Sequence, residues 1–122
     1  MQSDVKRGTV WVLQESLVPG GNGTPMDYSP AERFGDVQFV LNIEPSRQQG
    51  GTINQHVYAQ LLRMAELYRE DRDYLVLTGS PLSIFMAGMV LVEVDKTPNI
   101  LAWDRRTRTY RPVSIPAFPV NA

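Results

Sequence analysis

The sequence predicts one small domain of mixed α/β (α+β) class, with a sheet of about five strands, two main helices, one βαβ crossover and a C-terminal β-hairpin. Three observations carry that prediction. A chain of 122 residues fits a single domain, spanning 1–122. Short β-branched and apolar runs alternate with two stretches of helical period. Near the C-terminus "NILAWD" and "TYRPVSI" bracket the turn "RRTR", the pattern of a hairpin.

Taken in order, "TVWVLQE" from Thr9 to Glu15 is β-branched and aromatic, and reads as a first strand. "LVPGGNGTPMDYSP" then holds Pro and Gly at a density that neither helix nor strand tolerates. Residues 16–35 are therefore expected to form a Gly/Pro-rich loop containing one short helical turn. In "SPAERFG", Ser29 suits the cap, Pro30 the first helical position, Glu32 a capping box and Gly35 the exit. "DVQFVLNI" gives a second strand, with Val37, Phe39 and Leu41 on one face and Val40 on the other.

After the loop "EPSRQQGGT" the period changes. Ile53, Val57, Leu61, Met64, Ala65 and Tyr68 recur at helical spacing, and Thr52 with Gln55 forms a capping box, which predicts a helix from Thr52 to about Arg69. Gln60, Arg63, Glu66 and Glu70 fall on its solvent face. "DYLVLTG" is too short for a helix and apolar throughout, so it suits a central strand buried on both faces. "PLSIFMAGMVLV" is apolar almost all round, which predicts a helix sandwiched against the sheet or covered by a partner. The hairpin follows, and residues 116–122 read as an extended tail. The order β-β-α-β-α-β-β contains at least one parallel crossover, expected to be right-handed.

Composition narrows the function. A charged share of 20% and a hydrophobic share of 43% are those of a chain that can bury a modest core. No run approaches the roughly 20 apolar residues that span a bilayer, so no membrane role is expected. "MQSDVKRGTV" lacks an apolar h-region, so neither a secretory signal nor a transit peptide is expected. With no cysteine there is no disulfide framework, no Cys-based zinc site and no thiol nucleophile, and a reducing cytoplasm fits. The net charge of −1 argues against bulk attachment to nucleic acid, yet four arginines against Asp104 give the segment 104–111 a charge of +3.

Two places could carry binding. The first is the strand-turn-helix "TGSPLS", where Thr78, Gly79, Ser80 and Ser83 offer hydroxyls and close backbone approach at a helix N-terminus, a natural seat for phosphate. Pro81 removes one donor and no P-loop or dinucleotide motif is present, and a plain cap explains the same residues. The second is the hairpin, where Trp103 and Tyr110 face each other across the ladder among Arg105, Arg106, Arg108 and Arg111, as in a stacking platform for a polyanion. A solvated tip over an aromatic pair is the structural alternative.

The rest yields no catalytic constellation, no metal site and no cofactor. His56 has no second histidine or cysteine to share a zinc ion. Glu66, Glu70, Asp71 and Asp73 are interleaved with Arg69 and Arg72, and read as a solvated, salt-bridged surface. The serines have no adjacent base and no Gly-x-Ser-x-Gly elbow.

Gly79, Pro81, Leu101, Trp103, Asp104, Arg105, Tyr110, Pro112 and Val113, set in "DYLVLTGSPLSIFMAGMVLVEV" and "NILAWDRRTRTYRPVSI", carry a resemblance. Over Thr9 to Ile115 the chain resembles a group of small bacteriophage-encoded proteins of uncharacterised function. It departs from that pattern in "VEVDKTPN", where an Ala-rich helix end and a Gly-containing turn are expected. The resemblance implies a phage source and action in the bacterial host cytoplasm, and no reaction. Three functions follow as expectations: a non-catalytic accessory module binding a host or phage macromolecule (protein or nucleic acid), a nucleotide- or phosphate-binding protein using residues 78–83, and a homo-oligomeric virion or assembly component working through the apolar helix.

Overall fold

The computed structural model describes residues 7–17, 23–41 and 55–115. Strand β1 (Thr9–Gln14) leads through a 3-10 helix (Ser29–Phe34) to β2 (Asp36–Leu41), then α1 (Gln55–Leu67), β3 (Tyr74–Val76), α2 (Pro81–Glu93), β4 (Asn99–Asp104) and β5 (Thr109–Ser114). The five strands form one mixed sheet in the order β2-β1-β3-β4-β5. The first four run parallel and β5 closes the edge antiparallel. The predicted class, crossover and hairpin are all present.

Alternation along the strands divides the core into two layers. Leu13 and Leu75 pack with Val57, Leu61, Met64, Ala87, Val90 and Leu91, beneath the two long helices. Val10, Val12, Val76, Leu101 and Tyr110 face the other way and meet Tyr28 and Ala31 of the 3-10 segment. The layering follows from topology. The chain steps from β1 outward to β2, then back past β1 to β3 and on to β4. With right-handed crossovers, that reversal places the first connection on one face and α1 and α2 on the other.

Several local expectations give way. The 3-10 helix begins at Ser29 itself and Tyr28 is its cap, with no side-chain cap hydrogen bond, so Ser29 and Glu32 form no capping box. Instead the Asp27 carboxylate accepts from the Ser29 N–H at 2.9 Å, which holds the Asp27 carboxyl below its usual range. Leu41, the last residue of β2, joins Val40 in the helix-side core instead of lying opposite it, because the strict alternation of faces lapses where the strand ends. Helix α1 stops at Leu67, short of Arg69, and Gln60 is half-buried instead of solvated. Strand β3 is only three residues long, and Leu77 beyond it is exposed. The Thr52 cap, Ile53, Asn42, Ile43 and the tail 116–122 lie outside the described residues.

Helix α2 ends in a reciprocal C-cap. The Asp95 N–H reaches the Val92 carbonyl and the Lys96 N–H reaches Leu91, with Asp95 at φ +61° in the left-handed position that glycine usually fills. A Gly-containing turn is thus replaced by an aspartate with the same backbone duty, and "VEVDKTPN" ends the helix without one.

The largest correction concerns Asp73, which is 2% exposed and belongs to no solvated cluster. Its Oδ1 accepts from the Thr9 N–H, and its Oδ2 from the Trp11 indole and the Arg69 N–H, each at 2.9 Å. One carboxylate thereby ties the start of β1 and the end of α1 to the entry of β3. Glu70 is not free either, since it accepts from the Thr97 N–H at 2.8 Å. Glu66, Glu70 and Asp71 are exposed as predicted, and among the described residues Asp71 is the one of them paired with an arginine, 3.3 Å from Arg72.

Around this latch the amino edge of the sheet is closely hydrogen-bonded. The Lys96 ammonium donates to the Ala65 and Glu66 carbonyls at 2.8 Å, satisfying the last turn of α1. Tyr68 Oη, fully buried, donates to the Thr97 carbonyl at 3.1 Å and accepts from the Asn99 N–H at 2.8 Å. Burial pushes the Tyr68 phenol up to about 12. A phenol held protonated in the fold and ionising near 10 when unfolded stabilises below pH 10, and that contribution falls away as pH rises from 10 toward 12. Tyr68→Phe is expected to cost about 1–2 kcal/mol at neutral pH, by orphaning the Asn99 N–H, and to flatten this alkaline limb. Urea titrations at pH 7 and pH 11 measure both effects.

Candidate functional site: the carboxyl edge of the sheet and the arginine hairpin

Both sequence candidates fall at the carboxyl edge of the parallel strands, opposite the Asp73 latch. In a doubly wound sheet the crevice opens where successive connections diverge, here between β1 and β3. Gln14 ends β1 and Thr78 to Ser80 follow β3, so the predicted turn stands at the switch point.

The local geometry shows how those side chains are used. The Gln14 N–H donates to Thr78 Oγ1 at 3.2 Å, and the Thr78 hydroxyl donates back to the Gln14 carbonyl, extending the β1–β3 pairing beyond the last ladder bond. Gly79 sits at φ +100°, and a Cβ there would lie 2.6 Å from Gln14 Oε1. Ser80 caps α2, accepting from the Ser83 N–H at 3.2 Å and pairing with the Ser83 hydroxyl at 3.1 Å. Ser83 is fully buried. Pro81 has no N–H and the Ile84 N–H goes to the Ser80 carbonyl, so most donors of the first helical turn are taken within the chain. Gln14 Oε1 is buried at the mouth of the turn, with no hydrogen-bond partner among the described residues. Sequence reading missed Gln14, since only the parallel pairing brings it to Thr78, 64 positions away.

The hairpin matches its predicted register. Trp103 pairs with Tyr110 and Asp104 with Thr109, leaving Arg105 to Arg108 as the loop. The two rings meet edge to face at 5.0 Å between centroids. Tyr110 is buried beneath, with its phenol pushed up by that burial, while Trp103 remains 43% exposed. Asp104 organises the loop. Its Oδ1 accepts from the Arg106 N–H at 2.9 Å and its carbonyl from the Arg108 N–H at 2.8 Å.

Charge and strain are distributed unevenly over this tip. Arg111 lies 3.7 Å from the Asp104 carboxylate on the flank of the ladder. Arg105, Arg106 and Arg108 are exposed, and among the described residues none of their guanidinium groups forms an ion pair. Arg108 holds φ +55°, a left-handed conformation costing a non-glycine residue about 1 kcal/mol. The tip is hydrogen-bonded, basic and flanked by an exposed indole.

The family model of the Phage Pam3 gp32-like protein matches residues 8–117. The chain belongs to that family. The match takes in every strand and helix from β1 to β5, together with the switch-point turn and the arginine hairpin. The sequence-based resemblance to small phage-encoded proteins is thereby borne out, and phage is the source the family description supplies. Neither the curated proteins nor the solved structures contain a match. Among the described residues no group of three or more His, Asp or Glu is placed to hold a metal ion. No helix among them is long and apolar enough to cross a membrane.

Proposed function

We propose that this phage protein is a non-catalytic binding module whose β4–β5 hairpin engages single-stranded nucleic acid. The observation that carries the reading is the tip itself: three guanidinium groups without an ion pair among the described residues, and an exposed indole, set on a short, hydrogen-bonded turn. Guanidinium groups match phosphate geometry, and an indole face stacks on any base without choosing among sequences. The strained Arg108 supports a use for that charge, since glycine or asparagine would hold the same turn at lower cost. The net charge of −1 confines the attraction to this patch, so binding is expected to be modest and strongly salt-dependent.

Fluorescence anisotropy with a labelled oligonucleotide tests it. Three phosphate contacts predict a slope of about −2 in log affinity against log salt. Combined Arg105→Ala, Arg106→Ala and Arg108→Ala is expected to weaken binding by about 30- to 100-fold with an unchanged thermal melt, and Trp103→Ala by about tenfold. Binding indifferent to salt and to the three arginines would refute the reading. The sheet order favours one second reading, a nucleotide or phosphate at the switch point, and mononucleotides in the same assay separate the two. Protection by millimolar mononucleotide in wild type, kept in the triple variant and lost in Gly79→Ala, assigns the ligand to the β1–β3 crevice instead.

A further inference from the structure

Helix α2 buries Ser83, Ala87, Val90 and Leu91 against the sheet and α1, and turns a second apolar face outward. Leu82, Phe85, Met89 and Val92 are 45%, 66%, 51% and 74% exposed, a larger uncovered hydrophobic stripe than a lone surface helix carries. Their intervals of three, four and three positions are those of a helix-packing seam. The only charged residue of α2 is Glu93, at its end.

Gly88 adds an independent observation. It stands in the middle of the helix, exposed, and a Cβ added there would meet nothing within 4 Å. Glycine weakens a helix interior relative to alanine, and here no contact inside the chain requires its small size. A gap in a ridge of large side chains is what a neighbouring helix needs for close approach.

We infer that two copies of this chain associate through α2, laid antiparallel about a two-fold axis that crosses its exposed face at the level of position 87, beside Gly88. The spacing is palindromic about position 87, so antiparallel pairing sets Leu82 against the partner's Val92 and Phe85 against the partner's Met89. Each contact then occurs twice, as an isologous interface demands. Phenylalanine edge on thioether is a favourable pairing in its own right. Electrostatics select the orientation. Antiparallel helices bring Glu93 to the positive N-terminus of the other α2 and oppose the two dipoles, whereas parallel helices would stack Glu93 on Glu93.

The area is consistent with a reversible pair. The stripe offers on the order of 400 Å² of apolar surface per copy, within the range of patches that mark interaction sites. Beside it a groove of about 270 Å³ lined by Tyr58, Met86, Met89, Val90, Val92 and Glu93 widens the contact. Two such stripes bury about 800 Å² together, below the roughly 1,200 Å² of a standard specific interface, so a weak, transient pair is expected, with dissociation in the range of tens to hundreds of micromolar. This face lies on the opposite side of the sheet from the Trp103–Tyr110 pair, and the pairing does not depend on the hairpin reading.

Sedimentation equilibrium of the full chain across about 1 μM to 1 mM tests the inference. A monomer–dimer equilibrium is expected, with Phe85→Glu raising the dissociation constant at least tenfold while its circular dichroism melt at dilution stays native. The native chain has no cysteine, so single thiols report orientation cleanly. Leu82→Cys copies mixed with Val92→Cys copies are expected to form the mixed disulfide in preference to either homodisulfide. A monomer at every concentration, a dimer indifferent to Phe85→Glu, or homodisulfides alone would overturn it.

Discussion

Replacing Asp73 with alanine is expected to remove about 3–5 kcal/mol of folding stability, and urea denaturation followed by circular dichroism measures the loss. The side chain is 2% exposed and accepts three hydrogen bonds, from the Thr9 N–H, the Trp11 indole and the Arg69 N–H. Alanine leaves all three donors facing a space with no acceptor. Each orphaned buried donor costs about 1–3 kcal/mol, and relaxation toward water recovers part of the sum. For a domain with a total stability of about 5–15 kcal/mol, such a variant is marginal at ambient temperature. Asp73→Asn is the informative companion. It retains one carbonyl acceptor and turns an amide N–H₂ toward a donor, so its loss is expected to fall between wild type and alanine. Equal stability of all three forms would show that the latch contributes nothing.

Gly8→Ala is expected to cost about 3 kcal/mol or more, for a steric reason. A Cβ at Gly8 would lie 2.0 Å from the carbonyl oxygen of Arg72, which no side-chain rearrangement relieves because the obstacle is backbone. Relief requires the 70–73 turn to move, and that turn carries Asp73, so the substitution strains the same latch from the other side. Gly8 also receives the Asp36 N–H at 2.9 Å, and Gly35, at φ +157°, would place its own Cβ 2.5 Å from the Gly8 carbonyl oxygen. Three chain segments thus meet at distances only glycine permits. The measurement is the urea midpoint of Gly8→Ala beside Gly88→Ala, which is expected to leave the monomer as stable or more stable because its helix position is open. A Gly8→Ala midpoint within error of wild type would refute the argument.

Expected gains and losses therefore separate by edge. The amino edge of the sheet, with Asp73, Tyr68, Lys96 and Asn99, reads out in stability. The carboxyl edge, with the switch-point turn and the arginine tip, is where binding is proposed. The arginine substitutions should leave melting nearly unchanged, because the tip is exposed and its fold rests on Asp104 and the backbone, whereas Trp103→Ala also loses the edge-to-face contact with Tyr110 and is expected to cost about 1 kcal/mol.

How much of this was legible in the chain depends on whether a signal was local. Hairpin register was readable because Trp103 and Tyr110 flank a four-residue turn with ring and charge chemistry of its own. The buried face of α1 was readable from the spacing of Val57, Leu61, Met64, Ala65 and Tyr68, all of which are buried. Ser80 and Pro81 announced the start of α2, and both serve it as cap and first residue. Asp73 was misread for the converse reason. In sequence its neighbours are Arg72, Asp71 and Glu70, while its partners Thr9 and Trp11 are more than 60 positions distant. A carboxylate in a charged run looks solvated until the sheet closes over it.

The sequence by itself determined the class of domain, the order of its elements and the two places where basic or hydroxyl groups gather, since periodicity, turn residues and caps act within a few residues and need no distant partner. Only the tertiary structure decided the strand order β2-β1-β3-β4-β5, the burial of Asp73, the meeting of Gln14 with Thr78 and the uncovered face of α2. These depend on which surfaces the sheet has already occupied. A helix apolar almost all round has two faces of equal appeal to the core, and packing can satisfy one of them and leave the other to a second molecule.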